Sequence, residues 1–167
     1  MEKFNLVLTS NGFNNNSERS KEIDELFKEI TENKKVILIV NATKTGSNFV
    51  SRKDVKDNFE KVGAKVVDVV EINSNNVNSI FDYDVIYGMG GDIKPLLEDF
   101  QECNFREHLI KFLKNGIYIG ESAGSIVLSD DVKWCYNIKK GRVKIEKISI
   151  KGYTYSIFMF ILYITCY

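Results

Sequence analysis

Gly120-Glu121-Ser122-Ala123-Gly124 is the stretch in which residue types and spacing point to chemistry. A serine with a glycine two residues to either side, following the apolar run Ile117-Tyr118-Ile119, is the pattern of a nucleophile elbow. A strand ends, the chain turns at a strained serine, and a helix begins. Glycine at 120 and 124 removes the Cβ atoms that would hold strand and helix apart. The turn lifts the Ser122 hydroxyl above the end of the sheet, where it can attack a carbonyl carbon. The N–H of Ala123, at the start of the next helix, then faces the oxyanion that attack creates. The positive end of that helix adds to the same spot. Apolar Ile126-Val127-Leu128 continues the pattern. For these five residues alone, the alternative is a glycine-rich turn with an idle serine.

A second glycine-rich stretch, Gly88-Met89-Gly90-Gly91-Asp92, follows another apolar run, Val85-Ile86-Tyr87. It misses the dinucleotide fingerprint, because Ile93 stands where the third glycine belongs, and it lacks the Gly-Lys-Ser/Thr of a P-loop. Its backbone N–H groups suit the other half of an oxyanion hole. A tight turn into a helix is the alternative.

Both stretches need strands behind them, and the rest of the chain supplies an alternation that predicts such strands. Phe4 to Thr9, Val36 to Val40, Val66 to Ile72, Val85 to Tyr87 and Ile117 to Ile119 read as short β runs. Between them stand helical stripes: Ile23, Leu26, Phe27 and Ile30; Val55, Phe59 and Val62, stopped by Gly63; Leu96, Leu97 and Phe100 after Pro95; Phe105, Leu109, Phe112 and Leu113 before Asn115-Gly116. Asn41 to Asn48 and Asn73 to Ser79 read as loops, with a helical turn near Val77 and Ile80. Val36 to Val40 is apolar throughout, as expected of a strand covered on both faces. The expected fold is a three-layer α/β/α domain, flavodoxin-like, with a mostly parallel sheet of five or more strands. In such a sheet functional groups gather at the carboxyl ends of the strands, which puts the two glycine corners at one edge.

The 167 residues fit one domain, and 23 Lys plus Arg balance 23 Asp plus Glu. A chain of zero net charge shows no basic excess for nucleic acid. The apolar run in the tail, Ile157 to Ile164, is far shorter than the roughly 20 residues of a membrane span. Cys103, Cys135 and Cys166 are widely spaced, with neither a metal-ligand nor a disulfide pattern. No cofactor or metal is expected. Unpaired thiols and the absence of a signal-peptide layout point to the cytoplasm.

The two glycine corners together resemble the dipeptidase E family of serine peptidases, which includes aspartyl dipeptidase and the cyanophycinases. The motifs are Gly90-Gly91-Asp92-Ile93-Lys94-Pro95-Leu96-Leu97 and Gly120-Glu121-Ser122-Ala123-Gly124-Ser125, and the resemblance runs from about Phe4 to Asp131. It implies a fold like that of class I glutamine amidotransferases, with serine as the nucleophile. It makes Ser122 that nucleophile and gives the oxyanion donors as the N–H groups of Gly91 and Ala123. The implied substrate is a short peptide, best known with N-terminal aspartate.

The chain departs from the family in one respect that matters. The family's histidine follows the serine by some tens of residues, whereas the single histidine here, His108, precedes it. His108 sits in a helical pattern and is expected on a sheet face, half-buried or at the surface. Asp130 and Asp131 lie where an acidic partner would fall, and a polar turn explains them equally well. The expectation is a dipeptidase E-type hydrolase that is weak or inactive. A non-catalytic peptide-binding or small-ligand member is the second reading, and an α/β-hydrolase esterase a third. Residues 1–131 carry the family pattern. Residues 132–167 are expected to be a divergent part of the same domain, ending in a final strand or altered by truncation or a frame shift. Val143 to Ile150 alternates like a strand. If the tail is foreign, a bare sheet edge would favour a homodimer or aggregation.

Overall fold

The structure is a computed structural model that describes residues 5–9, 12–13, 18–43, 49–129 and 156–159. Six strands are described, β1 (Asn5–Thr9), β2 (Lys35–Ile39), β3 (Val66–Val70), β4 (Val85–Gly88), β5 (Ile117–Glu121) and β6 (Ser156–Met159). They form one sheet in the order β3-β2-β4-β5-β1-β6, and every pairing is parallel. The helices are α1 (Glu18–Thr31), α2 (Phe49–Lys61), α3 (Ile93–Glu102), α4 (Phe105–Phe112) and α5 (Ala123–Ile126), with 3₁₀ turns at Asn41–Thr43 and Val77–Asp82.

The period of two along each strand sorts side chains to opposite faces. On β2, Val36 and Leu38 join Val7, Val85, Tyr87 and Ile119 beneath Phe27 of α1 and Val55 and Phe59 of α2. Ile37 and Ile39 join Leu6, Leu8, Ile86 and Tyr118 beneath Leu96, Phe100, Leu109 and Phe112 of α3 and α4. Both faces are therefore covered, which makes the chain a three-layer α/β fold. The first face is aromatic: Phe59 lies 5.0 Å from Tyr87 edge-on and 5.8 Å from Phe27 in a stack. On the second face Phe100 and Phe105 stack at 3.9 Å and hold α3 to α4.

Several expected boundaries shift for local reasons. α2 begins at Phe49, ahead of its first striped residue Val55. β3 stops at Val70, although Ile72 remains fully buried, because the Asn41 side chain replaces the ladder there. Asn41 Oδ1 accepts from the Ile72 N–H at 2.9 Å and its Nδ2 donates to Ile72 O at 2.8 Å. α5 is a single turn. A helix dipole grows with the number of aligned peptides, so the expected help from a helix end is small, and local N–H groups remain. β6 pairs with β1 in the tail, on four residues rather than the longer run the sequence offered. Val143 to Ile150 lies outside the described residues. No helix among the described residues is long and apolar enough to cross a membrane.

Candidate functional site

Ser122 stands at the end of β5 with φ 46° and ψ −109°, a conformation that costs a non-glycine residue about 1–3 kcal/mol. Three backbone bonds impose it. The Ser122 N–H donates to Thr9 O at 2.9 Å, and Ser122 O accepts from the N–H groups of Ser125 and Ile126, each at 2.9 Å. The glycines allow the close passage: a Cβ on Gly120 would stand 2.8 Å from Gly124 O, and one on Gly124 would land on the Gly88 carbonyl. Ser122 is half-buried, and among the described residues its hydroxyl has no hydrogen-bond partner.

A buried polar cluster underpins the turn. Ser125 Oγ accepts from the Thr9 N–H at 3.1 Å and shares its own proton between Gly120 O at 2.7 Å and Thr9 O at 2.8 Å. Thr9 Oγ1 also donates to Gly120 O, at 3.1 Å. Tyr118, fully buried, donates to Gly124 O at 2.7 Å. Burial pushes its phenol well above the usual range, so it stays a donor.

The second corner lies alongside. Gly88 of β4 is in register with Gly120 of β5, so both strands end at the same edge. The Met89 N–H donates to Ile39 O at 3.0 Å, and the Asp92 N–H to Ala42 O at 2.8 Å. Between them Gly91 takes φ +141°, and a Cβ there would strike the Ala42 carbonyl; only glycine suits that position. Asp92 then caps α3, its Oδ1 accepting from the Lys94 N–H at 2.9 Å. A Cβ on Gly90 would stand 3.1 Å from Ser122 Cβ. Among the described residues, neither the Gly91 nor the Ala123 N–H has an acceptor.

Glu121 links the corners. Its Oε2 accepts from the Tyr87 hydroxyl at 2.8 Å and from the Gly90 N–H at 3.4 Å. Tyr87 is fully buried, and burial first, then the Glu121 charge, raises its phenol well above the usual value. Among the described residues no three His, Cys, Asp or Glu side chains gather as a metal site.

A turned serine facing a glycine corner on the neighbouring parallel strand is the arrangement that the paired motifs imply. The sequence profile of peptidase family S51 matches residues 6–154, most of the chain. The chain belongs to peptidase family S51. This is the dipeptidase E family that the motifs resemble, and the match extends past Asp131. Two solved structures share the fold. One is a candidate peptidase E protein from Listeria monocytogenes EGD-e, with TM-score 0.65 and 22% identity over 81% of this chain and 66% of that one. The other is a peptidase from an acI-B1 Actinobacterium, with TM-score 0.56 and 19% identity over 75% of this chain and 57% of that one. The chain spans less than two thirds of the length of either. No curated protein matches the sequence.

Within this S51 chain, the structure brings Ser122, Gly91 and Ala123 to one edge and leaves His108 elsewhere. His108 is half-buried on α4, with Nδ1 3.1 Å from Asn104 O and its ring 6.3 Å from that of Phe81. Phe81 precedes β4, at the edge where β4 and β5 begin, whereas Ser122 lies where they end. Asp130 and Asp131 lie outside the described residues. Glu121, Tyr87 and Ser125 were missed as site residues by sequence reasoning. Glu121 and Ser125 lie inside or beside the motif, and that adjacency was the available signal. Nothing local marked Tyr87, which reads as an ordinary strand aromatic.

Proposed function

We propose that the chain is a serine peptidase of the dipeptidase E type, built to cleave short peptides with N-terminal aspartate through an acyl-enzyme on Ser122. The observation that carries this reading is the Ser122 corner at φ 46°, set against Gly90 on the neighbouring strand. Ser122 Oγ attacks the peptide carbonyl carbon. The resulting oxyanion takes hydrogen bonds from the Gly91 and Ala123 N–H groups. Collapse breaks the C–N bond, the amine leaves carrying the proton that the serine hydroxyl gave up, and water hydrolyses the remaining ester to the free acid and Ser122. The three widely spaced cysteines favour a reducing, cytoplasmic setting.

We further propose that this 167-residue chain is weak or inactive. Attack requires a base to take the serine proton, and the sole histidine stands at the far edge of the sheet. In a well-studied serine protease the loss of that base costs roughly 10⁶-fold in rate, leaving about 10³-fold over water. The position of His108 equally favours a second reading, a non-catalytic member that binds a peptide or small ligand.

Aspartyl dipeptide cleavage by the parent and by Ser122→Ala tests the proposed inactivity, with little Ser122-dependent turnover expected. Robust Ser122-dependent turnover refutes the proposed inactivity. Fast fluorophosphonate labelling at Ser122 supports an activated serine, and no labelling with measurable peptide binding supports the binding member.

A further inference from the structure

We propose that Glu121, braced by Tyr87 and Gly90, anchors the free α-ammonium group of a short peptide whose carbonyl lies at Ser122. This rests on the reading of Ser122 as the residue that meets the carbonyl.

The placement comes first. The point where a Gly90 Cβ would stand is 3.1 Å from Ser122 Cβ and 3.4 Å from Glu121 Cδ. The two side chains therefore lie side by side against Gly90, where glycine leaves out a Cβ. Orientation follows. With Oε2 held by the Tyr87 hydroxyl and the Gly90 N–H, the carboxylate is fixed on one side. Among the described residues Oε1 accepts no hydrogen bond, and no Lys or Arg pairs with Glu121. Among the described residues, then, this half-buried, oriented anion has no cation beside it.

Peptide chemistry supplies one. The α-nitrogen is two bonds from the carbonyl carbon, with bond lengths of about 1.5 Å each, so a group that binds the ammonium must sit beside the nucleophile. Glu121 immediately precedes it. The same carboxylate would oppose an oxyanion at the Gly91 and Ala123 N–H groups if it were left uncompensated. A substrate ammonium removes that opposition, and an acylated or internal peptide nitrogen cannot. The site therefore favours peptides with a free amino terminus.

Calorimetric titration of Ser122→Ala with an aspartyl dipeptide and its N-acetyl form tests this without turnover. The free amine is expected to bind about tenfold tighter or better, the range of a charge-assisted hydrogen bond. Glu121→Gln should abolish the preference, and Tyr87→Phe should reduce it. Without any further variant, the preference should fade as pH rises through the ammonium pKa near about 8, while binding of the N-acetyl form holds steady. Equal affinities, a preference that survives Glu121→Gln or high pH, or no binding of either peptide at millimolar concentration would each overturn the anchor. If Ser122 proves inert to fluorophosphonate while the amine preference holds, the peptidase reading fails and the anchor stands.

Discussion

Gly90 and Ser122 meet across the seam between β4 and β5, where a Cβ on the glycine would come 3.1 Å from that of the serine. The other near neighbours of that point are Glu121 Cδ and Glu121 O, both at 3.4 Å. An added methyl group is thus tight but can be accommodated by small shifts. Gly90→Ala is expected to fold, with a melting temperature within a few degrees, about 1 kcal/mol in a domain of this size. It should weaken peptide binding about tenfold by filling the shared space. Thermal melting alongside titration separates the two effects, and unchanged affinity would show that the cleft lies elsewhere.

Ser125→Ala is a different kind of change. It deletes the acceptor of the buried Thr9 N–H and the donor to two carbonyls. A buried polar group left unsatisfied costs about 1–3 kcal/mol, so urea denaturation should show a loss of about 2 kcal/mol. A loss below a few tenths would mean that the cluster does not hold the Ser122 turn in shape.

Alkaline pH reads a third feature. Tyr83 donates to Asp68 Oδ2 at 2.7 Å, and burial, then the hydrogen bond and charge of Asp68, push its phenol up to about 12. In the unfolded chain a tyrosine titrates near about 10. The folded value is the higher, so the Tyr83 contribution is intact below the unfolded pKa and is lost as pH rises through the folded one. Denaturation of the parent and of Tyr83→Phe should therefore show a stability difference that narrows between those two values. Tyr87 and Tyr118 shift in the same direction but are present in both proteins and cancel.

His108→Ala should leave the rate of fluorophosphonate labelling at Ser122 unchanged, because the imidazole bonds within its own helix and lies at the opposite sheet edge. A substantial fall in labelling would bring this histidine to the site and reverse the proposed inactivity.

The turn at Ser122 and the glycine corner were legible because glycine spacing reports backbone demands directly: Gly91 needs its φ of +141° and Gly124 its contact with Gly88 whatever the rest of the chain does. The alternation of β runs and helical stripes was legible for a similar reason, since burial on both faces leaves strands such as Val36 to Val40 uniformly apolar. The Glu121–Tyr87 link was not. It depends on β4 and β5 pairing with Gly88 beside Gly120, and register is a property of two strands that neither sequence states. Ser125 was visible as part of the motif, but its partner Thr9 sits in another strand. The single-turn length of α5 also escaped, since Ile126-Val127-Leu128 suits a helix or a turn equally.

Ser125 and Thr9 are separated by 116 positions and yet share one hydroxyl. During synthesis, at about 5–20 residues per second, β1 is complete on the order of ten seconds before the segment it must clasp has been made. Over that interval Leu6 and Leu8, buried in the finished molecule, have no β5 to lie against. The strand that closes the serine corner is thus among the earliest made and the latest satisfied.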